Sequence, residues 1–239
     1  MTILDLIIST HEKINFDDVF LSVENKNMLV QLSKEHRLAE ELLKHKLPLT
    51  NKILFHGASG CGKTMSANAL ASVLNKKLLV VNLSNIVCSK IGETSQNIKT
   101  VFDKAIKEKA ILFLDEFDHI AKARGNDEND VGEMRRLVNS VIQLIDLLPQ
   151  DVILIAATNH AEIIDNALMR RFQLKLEFLK PTQEQLNQYY DQLASLYDAS
   201  ISTFDRKYNL SYAEAKDYAL IQIKNKLINQ LENSILSKE

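Results

Sequence analysis

The sequence is poor in the features that mark secreted and membrane proteins. Its 239 residues include only two cysteines, Cys61 and Cys88, which are too few for a disulfide framework. The longest uninterrupted apolar run, Val152–Ala157, spans about six residues, whereas a membrane-spanning helix needs about 20. The N-terminal stretch carries Asp5 among its apolar residues and has no basic segment before them, unlike a secretory signal. We therefore expect a cytoplasmic protein with no membrane partner.

An excess of one charge is also missing. Lysine and arginine number 29 against 31 aspartates and glutamates, which gives a formal net charge of -2. Proteins that bind nucleic-acid backbones usually carry a basic surface, so the composition disfavours a nucleic-acid partner. The six histidines show no metal-ligand spacing. Hydrophobic residues make up 46% of the chain, which is ordinary for a globular protein with a buried core.

Glycine is scarce, and half of it is concentrated in one place. Of six glycines, Gly57, Gly60 and Gly62 fall within one short stretch. Because glycine lets a backbone take positive φ and approach a ligand closely, this clustering predicts a ligand. The stretch Gly57–Thr64 fits the pattern G-x-x-x-x-G-K-[ST] and lies between a predicted strand and a predicted helix. This pattern is typical of a loop that binds nucleotide phosphates through main-chain N–H groups and a helix N-terminus.

The residues of this loop have distinct predicted roles. Lys63 is expected to reach the β- and γ-phosphates, and the Thr64 hydroxyl to coordinate Mg²⁺. We assign ATP binding to the loop and to the residue that follows it, namely Gly57, Ser59, Gly60, Cys61, Gly62, Lys63, Thr64 and Met65.

A carboxylate pair supplies the second half of the predicted site. The apolar stretch Ile111–Leu114 ends abruptly in Asp115 and Glu116. Ligands of doubly wound sheets bind outside the carboxyl ends of the strands, so we expect Asp115 near the nucleotide and the metal. Glu116 is then placed to polarise the attacking water, while Asp118 is expected to be an exposed neighbour.

Two further positions are candidates for catalysis. Asn159 follows the apolar stretch Val152–Ala157 and could hold the attacking water or contact the γ-phosphate, or it could cap a turn. Arg170 and Arg171 could act on the γ-phosphate bound by a neighbouring subunit, or they could be solvated surface charges.

Short apolar stretches alternate with helical periodicity along most of the chain, which predicts an α/β fold with a parallel sheet flanked by helices. We predict strands at Lys52–His56, Leu78–Val81, Ala110–Leu114 and Val152–Ala157, with a possible edge strand at Leu174–Phe178. We predict helices at 22–47, from Lys63 onward, at 95–109 and at 131–147, with an exposed acidic loop at 125–130. After Pro181 only helices are predicted, at 182–197 and 211–237. We thus expect a large α/β domain over residues 1–180 and a small all-helical domain over 181–239.

The ordered motifs resemble those of the AAA+ ATPases, and specifically the AAA clade. The likeness covers roughly residues 12–180 and rests on the segments Gly57–Thr64, Gly92–Thr94, Ile111–Asp118, Ala157–Asn159 and Asp165–Phe172. It implies that Gly57–Thr64 is Walker A, that Asp115 and Glu116 are Walker B, and that Asn159 is sensor 1. It also implies that Arg170 and Arg171 are paired arginine fingers and that the helical C-terminal part is a reduced lid. Members form rings, usually hexamers, and use ATP turnover to remodel a protein substrate.

The sequence departs from the family pattern in three places. Lys90 stands where polypeptide-threading members carry a pore-loop aromatic residue, which leaves threading open. The stretch before Lys52 is short, so we expect no separate N-terminal adaptor domain and predict that another chain supplies the adaptor. The segment Leu210–Glu214 aligns with the nucleotide-contacting part of the lid but contains no arginine.

Two other functions share these motifs. A DNA-associated loader ATPase would have the same fold, and the lysines Lys99, Lys104, Lys107 and Lys109 could contribute to such a role, although they also fit a solvated helix face. A nucleotide-switched scaffold with negligible turnover is the third reading, which the presence of Glu116 and the arginine pair disfavours. The leading prediction is a ring-forming, ATP-hydrolysing protein that acts on an unidentified protein substrate or adaptor.

Overall fold

The computed structural model describes residues 7–10, 13–87, 91–122 and 128–236. The chain forms two compact units. The first consists of the residues up to Gly57 together with Lys63–Phe178, and the second of Ala58–Gly62 together with the residues from Leu179 onward. The second unit therefore includes five residues of the glycine-rich loop, whereas the sequence pattern placed a single boundary after residue 180.

The first unit is built on a six-stranded, mostly parallel sheet. The strands are β1 (Ile7–Thr10), β2 (Lys52–Gly57), β3 (Leu78–Asn82), β4 (Ile111–Asp115), β5 (Ile153–Thr158) and β6 (Leu174–Phe178), in the spatial order β1-β3-β4-β5-β2-β6. All neighbouring pairs are parallel except β1 and β3, which are antiparallel. The predicted α/β fold is confirmed, and the alternating segment 174–178 is the edge strand β6.

Helices flank the sheet in the first unit and make up the second. Those of the first unit are α1 (Val23–Arg37), α2 (Ala39–Lys44), α3 (Lys63–Val73), α4 (Leu83–Val87), α5 (Ile91–Glu108), α6 (Asp118–Lys122), α7 (Glu128–Asp146) and α8 (Asn166–Met169). Those of the second unit are α9 (Gln183–Ala194) and α10 (Tyr212–Leu236). Within the described ranges, no helix has both the length and the apolar character needed to cross a membrane.

Three local predictions differ from the structure. The sheet is not purely parallel, because Ile7–Thr10 adds an antiparallel edge strand that four residues of local pattern do not reveal. The single helix predicted over 22–47 is two helices, since the backbone leaves helical geometry at Leu38. Helix α7 begins at Glu128, inside the loop predicted over 125–130, where acidic residues favour a helix N-terminus; residues 125–127 lie outside the described ranges.

Each unit has its own hydrophobic core. In the first unit, apolar side chains of strands β3, β4 and β5 pack with those of α5 and α7, and many of them are fully buried. Burial of this kind stabilises the fold by about 25 cal/mol for each Å² of apolar surface removed from water. In the second unit a smaller cluster joins α9 to α10, and it is formed by Leu186, Tyr190, Leu193, Ala215 and Ala219.

Candidate functional site

The predicted catalytic side chains follow three strands that lie side by side. Strand β5 separates β4 from β2, and all three run parallel. Asp115 ends β4, Asn159 follows β5, and Gly57 ends β2. The carboxyl ends of adjacent parallel strands share one edge of the sheet, which is where ligands of this fold class bind. The sheet order thus places residues distant in sequence around one position.

Lys63 connects two of these strand ends. It is the first residue of α3 and is buried, with 9% of its surface exposed. Its Nζ donates a hydrogen bond to the Gly57 carbonyl oxygen at 2.8 Å and another to Asn159 Oδ1 at 2.7 Å. A buried ammonium group is stable only when oxygen acceptors surround it, so this geometry positions a positive charge where phosphate oxygens would compete for it.

Gly57 is required by the backbone at the end of β2. Its φ is +123°, a conformation that side chains disfavour. A Cβ at this position would lie 2.3 Å from the Phe178 carbonyl oxygen, because β2 and β6 pair at these two residues. A glycine here lets the chain turn out of the strand towards the phosphate loop without displacing its edge neighbour.

The middle of the glycine-rich loop belongs to the second unit. Gly60 has φ +71°, and its carbonyl oxygen accepts a hydrogen bond from the Ala213 N–H at 3.2 Å. A Cβ on Gly60 would lie 2.6 Å from Ser211 Oγ. Ser211 and Glu214 form reciprocal hydrogen bonds at the start of α10, of 2.7 Å and 3.3 Å. Cys61 is buried, and the distance from its Sγ to the Ser59 carbonyl oxygen is 3.6 Å.

Thr64 and Asp115 are the residues that could hold a magnesium ion. A hydroxyl and a carboxylate are hard oxygen donors, and Mg²⁺ typically takes few protein ligands and completes its shell with water and phosphate oxygens. Thr64 is exposed in the first turn of α3, and the neighbouring Met65 is also exposed. No group of three histidine, cysteine or acidic side chains forms a metal cage in the described parts of the chain. The donor set therefore fits magnesium held jointly with a nucleotide.

Asp115 sits where its charge is energetically unfavourable. Burial raises the pKa of its carboxyl group, and the charges of Glu116 and Asp118 raise it further, while a hydrogen bond from the Glu116 N–H and the charge of Lys63 lower it. The folded-state pKa lies above the unfolded one, so this carboxylate costs stability as the pH rises through the folded pKa. A cation bound beside Asp115 would remove that cost.

We expect Asp115→Asn to stabilise the protein in the absence of Mg²⁺ and to abolish the additional stabilisation by Mg²⁺ and nucleotide. The amide Oδ1 still accepts the 3.0 Å hydrogen bond from the Glu116 N–H, while the buried charge disappears. At neutral pH the melting temperature should therefore lie above that of the wild type. The gain should shrink as the pH falls through the raised pKa of Asp115, because the wild-type carboxyl group then becomes protonated and loses its charge.

Thermal unfolding with and without Mg²⁺ and nucleotide measures this effect. Asp103→Asn is the matched control, because Asp103 is exposed on α5 and its replacement should change neither quantity. An Asp115→Asn protein that melts below the wild type without Mg²⁺ would contradict the interpretation.

Glu116 takes an unusual backbone conformation for a non-glycine residue. Its φ is +54°, in the left-handed region that non-glycine residues adopt only at a cost in conformational energy. Its Oε2 lies 3.5 Å from His119 Nε2. His119, whose N–H also donates to the Glu116 carbonyl oxygen at 2.9 Å, was not predicted to contact the site. The sequence did contain a signal for this contact, because His119 lies three residues after Glu116 and in the first turn of a helix.

The prediction that Asp118 is exposed was wrong. Asp118 is buried, with 3% of its surface exposed, and its Oδ1 accepts a hydrogen bond from Thr158 Oγ1 at 2.9 Å. Thr158 is the last residue of β5 and immediately precedes Asn159, so this bond joins the segment after β4 to the end of β5. The sequence showed only an acidic residue beside other acidic residues, and the buried partner is distant along the chain.

Arg170 and Arg171 do not share one environment. Arg170 follows α8 and is exposed. Arg171 is about one-third exposed and forms an ion pair with Asp146 at the end of α7, with two N···O distances of 3.3 Å. It also donates to the Ala167 carbonyl oxygen at 2.9 Å. Arg171 is thus oriented within its own chain, whereas Arg170 projects from the surface. The pore-loop position Lys90 lies outside the described residues.

The chain is similar to several proteins of known family. Residues 53–180 match the family described as "ATPase family associated with various cellular activities (AAA)". The chain is 39% identical over 175 residues to the uncharacterized AAA family ATPase y4kL of Sinorhizobium fredii (strain NBRC 101917 / NGR234). It is 31% identical over 205 residues to the peroxisomal ATPase PEX6 of Dictyostelium discoideum. In fold it is similar to the FIGL-1 AAA domain, with a TM-score of 0.66 and 22% identity.

The matches cover most of this chain but only part of the relatives. The y4kL match covers 73% of this chain and 53% of that protein, and the PEX6 match covers 83% of this chain and 16% of that protein. The FIGL-1 match covers 80% of this chain and 65% of that structure. The chain thus spans about half the length of y4kL. The family match over residues 53–180 contains the Gly57–Thr64 loop and the ends of strands β2, β4 and β5, which form the candidate site.

Proposed function

Because this chain belongs to the AAA family of ATPases, we propose that it binds ATP with Mg²⁺, hydrolyses it, and assembles into a ring that remodels a protein partner. The family relationship supports ATP as the nucleotide. The site geometry supports hydrolysis, and the two arginines support assembly. We further propose that the protein works in the cytoplasm and that its partner is a protein substrate or adaptor rather than a nucleic acid.

The observation that carries this proposal is the position of Lys63 Nζ. It lies between the Gly57 carbonyl oxygen and Asn159 Oδ1, at the carboxyl ends of adjacent strands β2 and β5. A terminal phosphate bound to Lys63 would therefore also lie within reach of the Asn159 side chain. Such a phosphate would gain a charge-assisted bond and a polar contact, which fixes its orientation for in-line attack by water.

The acidic residues then have separate tasks. Bound Mg²⁺ would neutralise phosphate charge and orient the phosphate oxygens, and Thr64 and Asp115 are the residues that would hold it. Glu116, one residue beyond Asp115, accepts a proton from the attacking water or orients it.

The ring proposal rests on the arginines that follow α8. Arg170 is exposed and is available to a neighbouring subunit, while Arg171 is held by Asp146 beside it. We propose that both serve the γ-phosphate bound by the adjacent subunit of a ring, with a hexamer as the expected state. An arginine supplied in this way can raise phosphoryl transfer by about 10³ to 10⁵.

The test is the specific ATPase rate as a function of protein concentration, with particle mass measured with and without ATP. We expect the rate per subunit to rise as larger particles form. Arg170→Ala and Lys63→Ala subunits should each be inactive alone, and a mixture of the two should regain activity. The mixture contains sites in which an intact Lys63 faces an intact arginine of the other subunit.

Arg37→Ala is the control for the loss of a surface arginine, because Arg37 is exposed on α1 and donates to the Val73 carbonyl oxygen at 3.1 Å. The Arg37→Ala substitution should leave the specific ATPase rate and the particle mass unchanged. A rate that does not depend on concentration, from particles with the mass of one chain, would contradict shared active sites. It would favour a nucleotide-dependent switch that acts as a single subunit.

A further inference from the structure

Asp118 is a buried acidic residue placed close to the site without a role in the mechanism proposed above. It is the first residue of α6, two positions after Glu116, and 3% of its surface is exposed. A carboxylate in such a place is unfavourable unless hydrogen-bond donors reach it. The donors that reach it therefore indicate what the residue stabilises.

One donor to this carboxylate is the Thr158 hydroxyl. Thr158 ends β5 and is itself buried, and its Oγ1 donates to Asp118 Oδ1 at 2.9 Å. A hydroxyl has one hydrogen to donate, so the same oxygen is left to act as an acceptor. It accepts a hydrogen bond from the His160 N–H at 2.9 Å. The two bonds point in one direction, from the His160 main chain through Thr158 to the Asp118 carboxylate, and each strengthens the other.

These bonds hold the backbone on both sides of Asn159. The Asn159 side chain is exposed, so packing of neighbouring side chains does not determine its position. Besides the hydrogen bond from Lys63 Nζ, its position follows from the backbone of Thr158 and His160, and the Thr158 hydroxyl links that backbone to the Asp118 carboxylate. One residue earlier, the Ala157 carbonyl oxygen accepts a hydrogen bond from the Phe117 N–H at 2.8 Å, a second link between the two strand ends.

We propose that Asp118 and Thr158 are positioning residues that hold Asn159 against Lys63 and thereby set the geometry of phosphoryl transfer. This inference deepens the proposed function and rests on it. Asn159 Oδ1 lies 2.7 Å from Lys63 Nζ, so a small displacement of the segment would break this contact and move the amide away from the phosphate. Neither Asp118 nor Thr158 needs to touch the nucleotide.

The experiment compares Thr158→Val, Thr158→Ser and Asp118→Asn with the wild type. Valine matches threonine in shape but lacks the hydroxyl, whereas serine keeps it. We expect Thr158→Val to lower kcat by about 10- to 100-fold, the range expected when catalytic groups are misplaced by about 1 Å. Nucleotide affinity and KM should remain within experimental error of the wild type. Thr158→Ser should recover most of the turnover, and Asp118→Asn, which keeps an acceptor but loses its charge, should be intermediate.

A double-mutant comparison shows whether the effect passes through Asn159. In an Asn159→Ala background, Thr158→Val should cause little further loss, because residues acting through one group are non-additive. An equal loss in both backgrounds would overturn the inference. Thr100→Val, which removes an exposed hydroxyl bonded to the Gln96 carbonyl oxygen on α5, is the control for the chemical change.

Amide hydrogen exchange provides a readout that does not depend on turnover. The His160 amide should exchange faster in Thr158→Val and Asp118→Asn than in the wild type and Thr158→Ser, because its acceptor is lost or loosened. If the wild type hydrolyses ATP but exchange at His160 is unchanged in the variants, the positioning inference is overturned and the proposed function stands. If the wild type does not hydrolyse ATP, the proposed function falls, and the exchange rates still decide whether Asp118 holds this segment.

Discussion

Replacing Lys63 with alanine is expected to reduce the affinity for ATP by about 100-fold, the equivalent of roughly 3 kcal/mol for a hydrogen bond to a charged group. Lys63 brings a buried positive charge to the carboxyl ends of the strands, and Gly57 and Asn159 hold it by hydrogen bonds of 2.8 Å and 2.7 Å. Alanine cannot contact a phosphate from this position. It also leaves Asp115 without the nearby cation that favours its ionised form.

The loss should be specific to binding rather than to folding. Alanine is a good helix former at the start of α3, and the sheet does not depend on the lysine. Equilibrium binding of a fluorescent ATP analogue measures the affinity, and circular dichroism checks the fold.

Lys76→Ala is a matched control for this variant. Lys76 is also partly buried, and its Nζ donates to the main-chain oxygens of Lys109 and Asp151, but it precedes β3 and so lies at the opposite ends of the strands. Its loss should leave ATP affinity unchanged. If Lys63→Ala binds ATP as tightly as the wild type, the assignment of the phosphate site to the Gly57–Thr64 loop is wrong.

The site could be predicted from the sequence to the extent that its chemistry is local. The loop Gly57–Thr64 carries its own turn geometry, and three of its glycines have the positive φ angles that their spacing suggested. The ends of β4 and β5 were visible because apolar stretches stop abruptly at polar residues. Parallel strands then bring these ends to one edge, a rule of topology that needs no knowledge of the individual contacts.

The parts that could not be predicted depend on contacts between distant residues. Asp118 is buried, and Thr158, forty positions later in the chain, donates a hydrogen bond to it. Strand β1 forms by pairing in antiparallel orientation with β3, and the sequence of its four residues does not reveal that pairing. Arg171 looked equivalent to Arg170 until the ion pair with Asp146 distinguished them. In each case the two residues or strands that contact each other are far apart in the sequence, so the local pattern around one of them does not reveal the other.

Glu116→Gln is expected to lower the rate of ATP hydrolysis by about 10² to 10⁴, the usual contribution of a general acid–base group, while ATP binding is retained. Glutamine has nearly the shape of glutamate but cannot take up a proton from water. The substitution does not alter the main chain of this residue, so the 3.0 Å hydrogen bond from its N–H to Asp115 Oδ1 is retained. ATP should therefore accumulate uncleaved on the variant.

Single-turnover hydrolysis together with equilibrium binding separates these two effects. Glu162→Gln is the control, because Glu162 is an exposed carboxylate that contacts His160 at 3.2 Å and lies outside the strand ends. It should hydrolyse ATP at the wild-type rate. Hydrolysis by Glu116→Gln close to the wild-type rate would show that another group activates the water. Loss of binding together with turnover would instead indicate that Glu116 supports the nucleotide itself.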